Sequence, residues 1–243
     1  MPKTVIITGS SKGIGRATAI EFAKKEYNVV INYLTDKQGA EKLSTFLSRT
    51  YKTKTLVVEA DVAEEIQVKN MVEQVINMFG KIDVLVNNAG IVIDKEFEDR
   101  TVADWKRTLE VNTIGTFLMA KQVGQHMLEN KKGNIINVSS TNGINTFFPT
   151  SIDYDASKAA VINLTYNLAI QYAPYINVNA VAPGWVNTDM NEALPKEFIK
   201  EECEKIYKKR FANPEEIAKV IIFLASEEAS YINGTVIKVD GGM

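Results

Sequence analysis

Apolar residues in this chain follow two rhythms that alternate from one end to the other. Short β-branched runs lie at Thr4–Thr8, Asn28–Asn32, Thr55–Ala60, Val84–Asn87, Asn134–Ser139, Asn177–Ala182 and Thr235–Val239. Between them, apolar positions recur at helical spacing near 14–26, 36–50, 64–79, 102–130, 154–173 and 214–225. Strands and helices in alternation predict a parallel sheet with helices on both faces. Runs such as Val84-Leu85-Val86 are apolar at consecutive positions, as strands buried on both sides should be. One helix start is signed in detail: Asn213 can cap, Pro214 fits the first helical position, and Glu216 falls three residues after the cap. The charged stretch from Trp185 to Arg210 breaks the alternation. It reads as a surface insertion or as a lid over an active site at about 187–210. No repeat, low-complexity segment or Pro/Gly/Ser linker divides the chain, so residues 1–243 read as one α/β domain.

Composition narrows the function classes. The chain has 243 residues, 45% of them hydrophobic, which suffices for one large core. A formal net charge of -2 with scattered basic residues carries no nucleic-acid footprint. Cys203 is the single cysteine, so no intramolecular disulfide can form, and a reducing cytoplasmic setting is expected. The chain opens Met-Pro-Lys and runs into its first strand, with no signal peptide and no apolar run long enough for a membrane span. His126 is the single histidine, and no Cys/His cluster exists. No metal site is therefore expected, nor a histidine-based triad, and His126 reads as a structural helix residue.

Two short motifs carry chemistry. After the first strand comes Thr8-Gly9-Ser10-Ser11-Lys12-Gly13-Ile14-Gly15-Arg16. Glycines there let the backbone turn sharply and approach a pyrophosphate, while the following helix offers unpaired N–H groups. The second motif is Tyr154-Asp155-Ala156-Ser157-Lys158. Residues four apart share a helix face, and an ammonium beside a phenol lowers the phenol's pKa towards working pH. Such a tyrosine can exchange a proton with a substrate oxygen. Spacing alone is weak, because Tyr33 and Lys37 share it and read as an ordinary exposed helical pair.

Gly9-xxx-Gly13-x-Gly15 together with Tyr154-xxx-Lys158 resembles the short-chain dehydrogenase/reductase family, and the resemblance spans nearly the whole chain. Asn87-Asn88-Ala89-Gly90, Asn112, Ser139-Ser140, Pro183-Gly184-Trp185-Val186-Asn187-Thr188 and Val239-Asp240-Gly241-Gly242 match family segments in order. The resemblance implies a Rossmann fold with a seven-stranded sheet, and a nicotinamide cofactor. Its expected contacts are the loop residues Gly9, Ser11, Lys12, Gly13, Ile14 and Gly15, then Asn32 and Tyr33, then Asp61 and Val62 at the adenine. Asn88, Ala89, Gly90, Pro183, Gly184, Val186 and Thr188 complete the set, with Tyr154 and Lys158 at the nicotinamide. Asp61 also reads as a helix cap. The resemblance further implies Tyr154 as proton donor and Lys158 as its tuner. Ser140 is the substrate-binding serine, with Ser139 its competitor, and Asn112 is the residue that holds a water. The second strand ends Val30-Ile31-Asn32-Tyr33-Leu34, with no acid for a ribose hydroxyl until Asp36. Lys12, and with it Arg16, could meet a 2′-phosphate, so NADP(H) is expected; Lys12 otherwise reads as a solvated loop lysine.

The segments Ala212–Ala218, Phe223–Ser226 and Val239–Met243 look most like 3-oxoacyl-(acyl-carrier-protein) reductases of fatty acid synthesis, with acetoacetyl-CoA reductases similar. That implies a 3-oxoacyl thioester as substrate. Small-molecule carbonyls are the other possibility, through a dehydrogenase of a sugar, polyol or other small alcohol, and a non-catalytic NADP(H)-binding protein is a third. Basic residues that attract the carrier protein in such reductases correspond here to Lys131, beside Lys132, while Ala173-Pro174-Tyr175 stands where a second, an arginine, would fall. Phe147 and Phe148, in the long loop before Tyr154, either line a substrate pocket or pack the loop. The lysines of the expected lid, interspersed with glutamates, read as a solvated helix face ahead of a steering surface. Met190, Leu194, Phe198 and Ile199 would then face substrate or core. The resemblance implies a homotetramer built from the helices near 102–130 and 154–173 and the last strand.

Overall fold

A computed structural model describes residues 2–191 and 194–242. Glu192 and Ala193, two residues of the expected lid, lie outside the described residues, as do Met1 and Met243. Seven strands, β1 (Thr4–Ile7), β2 (Asn28–Tyr33), β3 (Thr55–Glu59), β4 (Val84–Asn87), β5 (Gly133–Val138), β6 (Ile176–Pro183) and β7 (Val236–Val239), form one sheet. Their order is β3-β2-β1-β4-β5-β6-β7, and every pairing is parallel. The helices are α1 (Gly13–Lys24), α2 (Lys37–Tyr51), α3 (Glu65–Phe79), α4 (Val102–Leu109), α5 (Gly115–Glu129), α6 (Ile152–Tyr172), α7 (Lys196–Lys205) and α8 (Pro214–Leu224). The expected Rossmann fold is thus the observed one, and every strand expected from the sequence is present.

Side chains alternate across each strand, so consecutive apolar residues feed two cores. Ile6, Val30, Leu85 and Ile135 point to one face, where Met71 and Val75 of α3 and Met119 and Val123 of α5 meet them. Val5, Ile7, Val29 and Ile31 point to the other, against Phe22 of α1, Leu43 and Leu47 of α2, and Ile217 and Ile221 of α8. The start of α8 follows its sequence sign: Glu216 accepts a 2.8 Å hydrogen bond from the Asn213 backbone N–H. Among the described residues, no helix is long and apolar enough to cross a membrane.

Two expectations need correction. The single helix expected over 102–130 is divided by a π turn at Glu110–Ile114, whereas the helix face expected among the lid lysines is present as α7. The supposed helical pair Tyr33–Lys37 does not exist. Tyr33 ends β2, buried, with its hydroxyl donating to Glu59 at 3.0 Å, and Lys37 opens α2.

Candidate active site

Parallel strands leave a crevice at their C-terminal ends where neighbouring connections depart to opposite faces. Here β1 lies between β2 and β4, and a cleft of about 640 Å³ runs along those ends. Apart from Gly15 and Asn112, every residue expected at the site lines it.

The glycine loop forms one wall. Gly9 and Gly13 adopt φ values of +60° and +55°, a region costly for residues with a Cβ. A Cβ on Gly9 would stand 3.0 Å from Ala89 Cα, and one on Gly13 3.4 Å from Thr188 Cγ2. Gly15 lies behind the loop, where a Cβ would stand 2.6 Å from Asn88 Nδ2, so its role is close packing. The first turn of α1 has no side-chain cap, which leaves its N–H groups to an anion.

Two residues expected at the cofactor also clip the loop while lining the cleft. Asn32 is buried; its Oδ1 accepts the Gly9 N–H at 3.1 Å and its Nδ2 donates to Ala60 O at 3.0 Å. Asn88 Nδ2 donates to the carbonyls of Thr8 and Gly9 at 2.9 and 3.0 Å. Thr8, the last residue before the glycine loop, receives the Asn88 and Ala89 N–H groups on its hydroxyl, both at 3.0 Å. Asp61 is not the cap of α3, whose N-cap is Glu64. Its carboxylate holds Arg107 of α4 at 2.8 Å, and Arg107 is a second unforeseen member of the cleft wall.

Tyr154 stands in the first turn of α6, and Lys158 lies one turn on, with Nζ 5.5 Å from the phenol ring centroid. Lys158 is 4% exposed and donates to Val138 O at 2.9 Å. Burial pulls its pKa down to about 8. The expected lowering of the tyrosine pKa is reversed: burial pushes Tyr154 up to about 12, a hydrogen bond with Ser140 opposes the rise, and Asp155 and Asp94 add to it. The ammonium sits by the ring and bonds the Val138 carbonyl, so desolvation dominates at the phenol.

The serine pair divides its work. Ser139 Oγ donates to the backbone oxygen of Lys158 at 2.9 Å, which ties β5 to α6. Ser140 faces Tyr154. Asn112 occupies the π turn, a distortion frequent at functional sites. Its Oδ1 accepts the Ile91 N–H at 2.8 Å, and its Nδ2 donates to Ile91 O and Ser157 Oγ, both at 2.9 Å. Its backbone carbonyl accepts the Thr116 hydroxyl at 2.8 Å.

The C-terminal end of the chain closes the site from below. A Cβ on Gly184 would stand 2.9 Å from Asp240 Cβ, and the carbonyls of Gly241 and Gly242 accept the N–H groups of Lys208 and Tyr207 at 3.2 Å. Phe148 packs rather than lining the cleft, in edge contact with Trp185 at 5.4 Å and near Phe198 of α7 at 6.5 Å. Phe147 is largely exposed. Of the four lid residues expected to face inward, Met190 lines the cleft and Phe198 joins this aromatic cluster. Lid lysines pair with glutamates, as Lys205 does with Glu202 and Lys209 with Glu204.

The lysines expected to meet a carrier protein lie away from the cleft of their own chain. Strand β5 runs from Gly133 to Val138, and Val138 lines the cleft, so Lys131 and Lys132 stand at the far end of the sheet. There Lys132 pairs with Glu227 at 3.1 Å and Lys131 lies over the Tyr175 ring.

Glycines that leave room for phosphates, an open helix N-terminus and a buried lysine beside a phenol fit a nicotinamide dinucleotide. The fold and site define an oxidoreductase acting on an alcohol or ketone with that cofactor. Residues 9–243 match the family model described as enoyl-(acyl carrier protein) reductase, and the chain belongs to the short-chain dehydrogenase/reductase family. It is 40% identical over 245 residues to glucose 1-dehydrogenase 2 of Bacillus subtilis (strain 168), covering 99% of this chain and 94% of that one. It is also 40% identical over 242 residues to 3-oxoacyl-(acyl-carrier-protein) reductase FabG of Aquifex aeolicus (strain VF5), covering 99% and 97%. Among solved structures, ElxO with NADP bound superposes with a TM-score of 0.90 at 34% identity, covering 99% of this chain and 98% of that one.

Proposed function

We propose that the protein reduces a ketone to a secondary alcohol with NADPH, and that the ketone is a 3-oxoacyl thioester. The observation that carries the reduction is the place of Tyr154 in the cleft wall, beside Ser140 and with Lys158 Nζ 5.5 Å from its ring. When bound, the nicotinamide supplies the hydride. Ser140 and Tyr154 take the substrate oxygen, Tyr154 gives it a proton, and Lys158 replenishes the phenol through its charge and through a water held at Asn112.

NADPH is favoured over NADH by the end of β2. Leu34, Thr35 and Asp36 line the cleft there, and Asp36 already caps α2 by accepting the Gly39 N–H at 2.9 Å. Lys12 and Arg16 line an adjoining recess together with Asp36, Asp189 and Glu215, and they are the cations a 2′-phosphate would meet there. Thioester substrates are supported by apolar Ile91, Val92 and Met190 at the reacting end, and by the FabG relative. Residues 187–210 act as the lid: Asp189, Met190 and Asn191 line the cleft, and the Trp185–Phe198 contact anchors α7 behind them. Exposed Phe117 of α5 and Tyr166 and Ile170 of α6 support assembly as a homotetramer through those helices. The pairing of Lys132 with Glu227 weakens the case for a carrier-protein contact at that lysine, so coenzyme A thioesters are included.

The glucose dehydrogenase relative supports a second reading, oxidation of a sugar or polyol. Loss of NADPH absorbance with acetoacetyl-CoA is the expected result. Inertness there, with NADP reduction by glucose or a polyol, would replace the first reading by the second. Cofactor binding without turnover of either would indicate a non-catalytic binding protein.

A further inference from the structure

Asp155 follows Tyr154 on α6 and reaches back to the loop between β5 and α6. Its Oδ1 accepts Asn142 Nδ2 at 2.6 Å and Ser151 Oγ at 3.3 Å, and its Oδ2 accepts the Phe148 N–H at 3.0 Å. A carboxylate has only acceptors, so it fixes which end of the Asn142 amide faces it. The amide oxygen is thereby turned to Ser140, whose hydroxyl donates to Asn142 Oδ1 at 3.2 Å. The same Ser140 oxygen accepts the Asn142 backbone N–H at 3.2 Å. Ser140 is buried, so its hydroxyl has few other partners and one lone pair left for the cleft.

We propose that Asp155 is a positioning residue of the reaction: through Asn142 it fixes Ser140 Oγ against Tyr154. Its two oxygens serve separate ends. Oδ2 anchors the loop at Phe148, whereas Oδ1 sets the amide that sets the serine. While Tyr154 is protonated, the Ser140 hydroxyl donates to Asn142 Oδ1; an oxygen that gains negative charge in the cleft draws that hydrogen bond over by rotation of the hydroxyl. The relay rests on the reductase reading above for its use, though not for its geometry.

Asn142→Ala separates the relay from the anchor, because it removes the amide and leaves the Phe148 bond intact. The relay predicts that Asn142→Ala and Asp155→Ala both displace Ser140 Oγ in crystal structures. Both lower kcat for acetoacetyl-CoA roughly tenfold, the size of one lost hydrogen bond. KM and the NADPH dissociation constant, followed by cofactor fluorescence, stay within about twofold. An Asn142→Ala enzyme with Ser140 unmoved and wild-type kcat would overturn the relay and leave Asp155 as a loop anchor only. Should Asp155→Ala not fold, Asn142→Ala decides alone. Should the wild type be inert to acetoacetyl-CoA, the reductase reading fails, and the position of Ser140 in the variant still decides the relay.

Discussion

Arg100 and Asp153 form an ion pair in the interior, one residue before Tyr154. Their side chains are 2% and 0% exposed, and NH1 lies 2.5 Å from Oδ1. The other guanidinium arm donates to the carbonyls of Ile93, Lys95 and Thr150, and Thr108 of α4 donates to the second carboxylate oxygen at 2.7 Å. One cation thus joins the loop after β4, the loop before α6 and the start of the tyrosine helix. Removing one partner leaves the other charged and buried, which costs about 3–5 kcal/mol. Arg100→Met should lower unfolding free energy by that order in urea, and Asp153→Asn should do the same. The double variant should lose much less than the sum, because the two changes share one interaction. A loss under about 1 kcal/mol for either single variant would show that the pair is not under strain from burial.

Much of this was legible in the sequence, and the reason is physical. Strands such as β4 declare themselves because apolar residues at successive positions can only be buried on both faces. The site was legible where backbone geometry demands a residue type, as at Gly9 and Gly13, where φ is positive. It was not legible where a side chain's partner lies far along the chain. Asn112 bonds residues 21 and 45 positions away, and those contacts accompany the π turn that divides the expected helix. Asn32 lines the cleft as expected of a cofactor contact, and its bonds to Gly9 and Ala60 are ones no local pattern announces. The tyrosine pKa is hidden from the sequence for a similar reason. Spacing places Lys158 near the phenol but says nothing of how much water either group keeps.

Burial of Lys158 makes a stability prediction with a definite sign. Its pKa falls from 10.5 to about 8 on folding. Between those values the unfolded chain binds more protons, so stability rises with pH through that window. Below it the folded state carries the whole penalty, about 3 kcal/mol for the cofactor-free protein. Lys158→Met should therefore be more stable than wild type near neutral pH, by up to about 3 kcal/mol, less about 1 kcal/mol for the lost bond to Val138. The advantage should fade as pH approaches 10.5. Urea unfolding at several pH values measures it, and a difference that ignores pH would refute the desolvation argument.

Lys12 tests the cofactor choice. It is exposed in the glycine loop, with Asp189 at 4.0 Å, a distance that leaves it available to an incoming anion. A charge-assisted bond to a 2′-phosphate is worth about 1.5–3 kcal/mol. Lys12→Ala should weaken NADPH about 10- to 100-fold and leave NADH nearly unchanged, as read by fluorescence titration. Equal weakening of both cofactors would place Lys12 on the pyrophosphate or the loop itself. Equal wild-type affinity for both would remove the NADPH preference.

Tyr154 should make the two directions of reaction respond differently to pH. Reduction needs the phenol as donor, and oxidation needs the phenolate as acceptor. In the free protein burial holds the phenol at about 12, so the donor form dominates at working pH. Reductive kcat/KM should show no loss from this group between about pH 6 and 9, whereas oxidative kcat/KM should climb about tenfold per pH unit. Bound NADP, with its positive nicotinamide ring, would lower the phenol's pKa, so the oxidative rise should level off earlier in kcat than in kcat/KM. Tyr154→Phe removes the proton and keeps the ring that packs by Lys158. That variant should fold and bind NADPH like wild type while turnover falls about 10²- to 10⁴-fold in both directions. If it retained turnover, the proton would have to come from another group, and Ser140, which already contacts the phenol, would be the next donor to remove.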